Sequence, residues 1–159
     1  METIPLCPQS EESVRAHIAL LVAHGRLSEA QAAVVRADRI VDFFNAPLGR
    51  RICAAETVER ERKFNYRVSA REIGVANTGE PILLQGVIDC CFLEDGAWVV
   101  LDYKTDRVPE GLSPAAAVQK HKRQISIYAS ALSALTEKPV KAAYIYLLNT
   151  GDCVEMQLS

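Results

Sequence analysis

Two apolar, β-branched runs, residues 82–93 and 97–103, lie at the centre of the chain with a tight break between them. The break contains Asp95-Gly96, a residue pair that two-residue type I′ turns favour because both turn positions have positive φ. The two runs therefore predict an antiparallel hairpin. Its turn fixes the register, and the register determines which residue lies opposite which along both strands.

This register places Glu94 opposite Ala97 and, further along, Asp89 opposite Asp102. Directly opposed residues have Cβ atoms about 4.5–5.5 Å apart on one face of a sheet. Lys104 shares that face with Asp102 because side chains alternate along a strand. Two opposed carboxylates are destabilising unless a positive charge lies between them. Mg²⁺ suits that position, since it takes oxygen ligands and is commonly held by one or two carboxylates.

A divalent cation, a polarised water and the Lys104 ammonium around one point suit attack on a phosphodiester. An Asp-x-Lys sequence alone is also compatible with a simple ion pair on a solvated face, but the opposed Asp89 favours the metal site. The same three residues also fit a metal hydrolase that acts on small phosphoesters. A panel of substrates would separate that enzyme from a nuclease.

The rest of the chain predicts an α/β fold, in which helices flank a mixed sheet. The predicted helices span residues 11–23, one amphipathic segment from the capping box Ser28-x-x-Gln31 to Asn45, residues 47–54 and residues 114–135. The predicted strands span residues 58–68, 82–93, 97–103, 140–148 and 153–158, with turn chemistry at residues 77–81. At 159 residues we expect a single domain, with a helical part over 1–56 and a sheet core over 57–159.

Composition and charge exclude several classes of protein. A net charge of −2 means that nucleic-acid binding would require a local basic patch. Such patches occur in residues 50–72 and 120–123, although a solvated face also explains them. No apolar run reaches the roughly 20 residues of a membrane helix, and the N-terminus lacks signal-peptide features, so we expect a cytoplasmic protein without a membrane partner. No Gly-rich phosphate loop is present, so we expect no ATP binding.

The five cysteines include no Cys-x-x-Cys pair, which argues against a zinc ribbon or a redox motif. We expect them to be small, reduced, buried side chains. Cys90 and Cys91 are adjacent and should point to opposite faces of the sheet.

Three motifs carry a resemblance to a known family: Gly86-x-x-Asp89, Asp102-Tyr103-Lys104-Thr105-Asp106 and Gln124-x-x-x-Tyr128. In this order they resemble the RecB-type branch of the PD-(D/E)xK nucleases, in particular the C-terminal nuclease domain of the AddA family of ATP-dependent helicase/nucleases. Shorter matches extend the similarity over nearly the whole chain: Phe43-Phe44 before Leu48-Gly49, Arg60-Glu61-x-x-Phe64 and Tyr146-Leu147-Leu148.

The resemblance implies a restriction-endonuclease-like fold and a Mg²⁺-dependent deoxyribonuclease, with Mn²⁺ as a possible substitute. It implies an exonuclease for double-strand-break repair and recombination, which receives single-stranded DNA from a helicase and works with a second nuclease subunit. The metal ligands would be Asp89, Asp102 and the Tyr103 carbonyl. Lys104 would be the catalytic lysine and Glu61 a further acidic member of the site. The residues expected to shape the site or contact DNA are Gln124, Tyr128 and Thr105.

Two departures from the family limit these expectations. The family's metal-binding histidine, within a Gly-Thr-x-x-His-like motif, has no match, since His17, His24 and His121 lie in other contexts. We therefore expect a fragment of a longer chain that binds Mg²⁺ weakly and shows little or no cleavage by itself. The alternative is a catalytically incomplete nuclease-fold scaffold or DNA-binding module. Cys153 alone near the C-terminus cannot supply the iron–sulfur cluster of some relatives, so none is expected.

Overall fold

The computed structural model of the chain describes residues 4–7, 10–69 and 81–158. They form two compact units, Met1–Ala55 and Glu56–Ser159. The turn predicted at residues 77–81 lies, except for Pro81, outside the described residues. None of the helices in these ranges is both long and apolar enough to cross a membrane.

The first unit is helical and begins with α1, Glu11–Ala23, as predicted. The Ser10 side chain accepts a hydrogen bond from the Ser13 N–H and so satisfies a helix-end donor. Gly25 follows the helix with φ +66°, the left-handed conformation that ends many helices and that glycine adopts without strain. Local sequence signals therefore determine both ends of α1.

The second predicted helix is wrong, because the structure divides it into α2, Glu29–Ala33, and α3, Ala37–Asn45. The capping box at Ser28 is confirmed, but the chain leaves the helical conformation at Arg36, with φ −88° and ψ 91°. Val34 is 77% exposed, so no burial offsets the low helix propensity of consecutive valines. The Arg36 side chain pairs with Asp38 in the first turn of α3. Helix α4, Pro47–Ala54, is confirmed.

A disulfide joins Cys7 to Cys53 within the first unit, with a Cα–Cα distance of 5.7 Å. The prediction of five reduced, buried cysteines is therefore wrong for this pair, and also for Cys153, which is exposed. Only Cys90 and Cys91 match it, as buried free thiols. Burial raises the pKa of Cys90 to about 11 and that of Cys91 to about 12, so both remain protonated at neutral pH.

We expect reduction of the Cys7–Cys53 disulfide to destabilise the helical unit by about 2–4 kcal/mol, because the bond closes a loop across 46 positions and restricts the unfolded chain. Thermal unfolding followed by helical circular dichroism, with and without dithiothreitol, measures the change. Cys7→Ser should reproduce it and Cys153→Ser should not. An unchanged melting temperature on reduction would contradict the expectation.

The second unit contains a five-stranded mixed sheet. Its strands are β1, Thr57–Ser69; β2, Pro81–Glu94; β3, Ala97–Lys104; β4, Val140–Leu147; and β5, Cys153–Glu155. They lie in sequence order across the sheet, and every neighbouring pair is antiparallel except β3 and β4, which are parallel. The predicted mixed sheet with flanking helices is confirmed.

The parallel pair is joined by a helical crossover. It consists of α5, Pro114–Ala117, a 3-10 turn at Gln119–His121, and α6, Lys122–Thr136, where one helix was predicted. Apolar residues of α6 pack on β3 and β4 in one core cluster that includes Ile125, Leu132, Val100, Ala143 and Ile145. This packing fixes the first turn of α6 beside the last residues of β3.

The central hairpin has the predicted register. Asp95 and Gly96 have φ values of 52° and 74°, as a type I′ turn requires, and Glu94 pairs with Ala97. The pairing continues to Cys90 and Leu101, one step before the two aspartates.

Candidate active site

Asp102 and Lys104 occupy the end of β3 on the side that faces α6. Asp102 is 1% exposed and is the single buried charged or polar side chain among the described residues. The Lys104 Nζ lies 2.7 Å from Asp102 Oδ2. Residues two apart on a strand share a face, so β3 itself holds this ion pair in place.

The environment of Asp102 disfavours its charge. Burial is the main cause that raises its pKa above 3.8, and the negative charge of Asp89 adds to the increase. Lys104 and His121 act in the opposite direction. Despite the close ion pair, Asp102 Oδ2 has no partner with hydrogen-bond geometry. A buried carboxylate oxygen in this state favours a cation as a further partner.

Asp89 lies half-buried on β2 next to this pair. Where backbone pairing between β2 and β3 stops, Asp89 Oδ2 accepts a hydrogen bond of 2.9 Å from the Tyr103 N–H. The predicted register is confirmed. However, the carboxylate lies in this gap between the two strands, which we call the β2–β3 fork, and not opposite Asp102 in a regular ladder.

Gln124 and Tyr128 face the site from α6. Lys104 Nζ donates to Gln124 Oε1 at 3.0 Å, and Gln124 Nε2 donates to the Tyr128 hydroxyl at 2.7 Å. The amide therefore uses both ends, and the network runs from Tyr128 through Gln124 and Lys104 to Asp102. Burial raises the pKa of Tyr128, and the charges of both aspartates raise it further.

Asp106 and His121 also lie at this end of β3, and sequence reasoning assigned neither to the site. His121 Nε2 is 3.1 Å from Asp106 Oδ2, and Lys120 pairs with the same carboxylate. These partners lower the pKa of Asp106. The pair ties the loop after β3 to the residue that precedes α6. Asp106 ends the motif that begins at Asp102, but no local signal identifies His121 as its partner.

The other predicted site residues are more dispersed. Glu61 is exposed on β1, and Thr105 is exposed with its carbonyl accepting a hydrogen bond from Asn149. Burial raises the pKa of Tyr103 well above 10, and its hydroxyl is held by the Cys90 thiol. The structure therefore brings together Asp89, Asp102, Lys104, Gln124 and Tyr128.

The donor set suits a hard divalent cation. Within the described ranges no three His, Cys, Asp or Glu side chains form a group that could hold a metal ion, so the set lacks the ligands of a structural zinc site. Mg²⁺ keeps several waters and requires only one or two carboxylates. Asp89 and Asp102 supply these, and the buried Asp102 Oδ2 fits the role of a ligand.

Two aspartates and a lysine at the fork of a mixed sheet define a class of nuclease. A sequence profile of the PD-(D/E)XK nuclease superfamily matches residues 4–157, and the chain belongs to this superfamily.

Relatives with similar sequences include proteins named as the A-type subunits of ATP-dependent helicase/nucleases, which confirms the resemblance to the AddA family drawn from the motifs. The protein from Ruminiclostridium cellulolyticum is 39% identical over 150 residues, covering 91% of this chain. The one from Acetivibrio thermocellus is 42% identical over 145 residues, covering 88%. The chain spans only 12% of the length of either relative.

Proposed function

We propose that this chain is a Mg²⁺-dependent deoxyribonuclease domain that hydrolyses phosphodiester bonds, with Mn²⁺ able to replace Mg²⁺. The observation that carries the proposal is the contact between the buried Asp102 and Lys104, with the Asp89 carboxylate beside it. Membership of a nuclease superfamily supports the reaction class.

Asp89 and Asp102 would hold the cation, with the Tyr103 carbonyl as a further oxygen donor. A bound cation at this position lowers the pKa of a coordinated water and withdraws charge from a phosphate oxygen. Lys104 supplies a second positive charge, and it stabilises the negative charge that develops on the phosphate during attack. Gln124 orients the Lys104 ammonium, since its Oε1 fixes one of the three N–H directions.

The DNA strand would pass the start of α6, where Lys120, Lys122 and Arg123 precede Gln124. All three are exposed, and Lys120 is held by Asp106. Basic side chains in this position can contact phosphates on either side of the bond that is cut. Glu61 and Thr105 remain candidates for supporting roles at the edge of the site.

The names of the relatives suggest the wider setting of this domain. We propose an exonuclease role in double-strand-break repair and recombination in the cytoplasm. In this setting a helicase supplies single-stranded DNA, a second nuclease subunit takes part, and ATP is bound elsewhere than in this domain.

The test is cleavage of single-stranded DNA by the chain in millimolar Mn²⁺ or Mg²⁺. Protein is used in excess over DNA with long incubations, because slow turnover is expected without the family's histidine. We expect cleavage that EDTA stops and that Lys104→Met removes, whereas Lys138→Met, an exposed lysine beyond the end of α6, retains it. Cleavage that survives EDTA or Lys104→Met would contradict the proposal.

A second candidate is a nuclease-fold scaffold or DNA-binding module with an incomplete site. The observation that favours it is the absence, within the described ranges, of a third side chain able to complete a metal group. This candidate predicts retained DNA binding with no divalent-dependent cleavage by the parent chain. The same experiment therefore distinguishes the two.

We expect Gln124→Leu to slow cleavage by about 10–100-fold, the scale typical of residues that support a ligand or catalytic group. Its loss leaves Lys104 without its amide partner and Tyr128 without its donor. Single-turnover kinetics should show a lower rate with little change in DNA affinity. Gln119→Leu, which removes an exposed glutamine bonded to the Ala115 carbonyl, is the matched control. An unchanged rate for Gln124→Leu would show that Lys104 needs no orientation by this amide.

A further inference from the structure

Glu61 has a left-handed backbone in the interior of a strand. Its φ is +52°, although Arg60 on one side pairs with Cys90 and Arg62 on the other pairs with Ile88. Glu61 therefore lies in the register position opposite Asp89. A positive φ is unfavourable for a residue with a side chain, and such strain persists where the surrounding structure maintains it.

The direction of the side chains on β2 changes at the same level. Ile88, Cys91 and Leu93 all belong to the core cluster beneath α6. Regular alternation from Ile88 would bring Cys90, and not Cys91, to that face. One irregularity therefore lies between Ile88 and Cys91, which is where Asp89 lies.

The β1 strand changes in step with β2. Phe64 belongs to the core cluster and Arg62 lies over the Trp98 ring, 5.9 Å from its centre. Glu59 pairs with Cys91 and is bonded to Arg62, so both lie on this same side. Residues 59 and 62 cannot share a face in a regular strand, and the left-handed residue between them accounts for the change.

The change of face determines where the Asp89 carboxylate lies. The ladder between β2 and β3 ends at Cys90 and Leu101, and the next N–H that points toward β2 is that of Tyr103. The Asp89 side chain accepts it at 2.9 Å, in place of a backbone carbonyl. The carboxylate is thereby anchored in the β2–β3 fork beside Asp102.

We propose that Glu61 is a positioning residue whose left-handed backbone, and not its carboxylate, turns Asp89 into the β2–β3 fork. The cross-strand irregularity at Glu61 and Asp89 is then part of how the site is built. Only the meaning of Asp89 as a metal ligand rests on the proposed function. The placement of its side chain does not.

The first test compares Glu61→Gly with Glu61→Ala in the metal-free chain. Glycine adopts positive φ without strain, whereas alanine does not. We expect the glycine variant to melt about 2–4 °C above the alanine variant. At Lys63, an exposed neighbour on β1, the same pair should show the opposite order, because glycine weakens an ordinary strand position. A glycine variant at position 61 that is less stable than the alanine variant would overturn the proposal.

The second test follows hydrogen exchange of the Tyr103 amide by NMR, again without metal. Glu61→Gly and Glu61→Gln should retain its protection, since neither removes the backbone conformation. Glu61→Val should lower it by about tenfold or more, because a β-branched residue strongly disfavours positive φ. Lys63→Val is the matched control and should leave protection unchanged.

Three outcomes of the second test would overturn the proposal. They are retained protection in Glu61→Val, loss in Glu61→Gly, and a loss in Glu61→Gln that is equal to the loss in Glu61→Val and would assign the role to the carboxylate. If Glu61→Val does not fold, the glycine–alanine comparison decides. Neither readout involves metal or DNA, so a chain that fails to cleave DNA would contradict the proposed function while leaving this inference intact.

Discussion

Asp102→Asn is expected to abolish divalent-dependent cleavage, by at least about 10³-fold, without destabilising the chain at neutral pH. The substitution keeps the shape of the side chain and removes the charge that would hold a cation. It also removes a carboxylate that is 1% exposed and whose pKa is raised by burial. The melting temperature should equal or exceed that of the parent. Loss of activity with a large fall in melting temperature would instead indicate a structural carboxylate.

The same variant should change how stability depends on pH. Because the pKa of Asp102 in the folded chain lies above 3.8, the folded state binds its proton more tightly than the unfolded state. Its contribution to stability therefore falls as pH rises from 3.8 through the raised pKa. In metal-free urea unfolding, Asp102→Asn should remove this fall.

Asp106 is the control for that pH dependence. Its pKa is lowered, so its contribution to stability is present above 3.8 and is lost only at lower pH. Asp106→Asn should therefore leave the slope above pH 3.8 unchanged. An unaltered slope in Asp102→Asn would contradict the assignment.

Gly86→Ala is expected to damage the site from the opposite side of the sheet. A Cβ at this position would lie 2.7 Å from the Phe64 ring, and that ring packs edge-to-face on Tyr128 at 5.6 Å. Overpacking of this kind costs about 1–3 kcal/mol. The displaced ring would move Tyr128 and, through Gln124, the Lys104 ammonium. We expect a lower melting temperature and cleavage slowed by about 10–100-fold.

Truncation of the clashing ring provides the control for Gly86→Ala. The double variant Gly86→Ala with Phe64→Leu should recover part of both losses, because leucine leaves room for the new methyl group. If Gly86→Ala matched the parent in stability and rate, the packing between β2 and α6 would not position the lysine.

The central hairpin could be predicted from sequence because its determinants are local. Asp95-Gly96 fixes the turn, the turn fixes the register, and alternation along β3 places Asp102 and Lys104 on one face. The Gln124–Tyr128 pair was placed by helical spacing and by the resemblance. In each case residues close in sequence determine the geometry.

The remaining features depend on tertiary contacts that spacing does not encode. The break after Ala33 depends on the exposure of Val34, which periodicity cannot show. The Asp106–His121 contact joins a loop to a helix start 15 residues away. The left-handed φ of Glu61 has no sequence signal, since the residue is neither glycine nor asparagine.

Mn²⁺ binding, followed by electron paramagnetic resonance, tests most directly whether Asp89 and Asp102 hold a divalent cation beside Lys104. We predict a single site of millimolar affinity in the parent chain, weakened at least about tenfold in Asp89→Asn and in Asp102→Asn. Asp95→Asn should bind as the parent does, because Asp95 lies at the exposed hairpin turn. Binding of equal strength in the parent and Asp102→Asn, or no binding by the parent at millimolar Mn²⁺, would contradict the metal site.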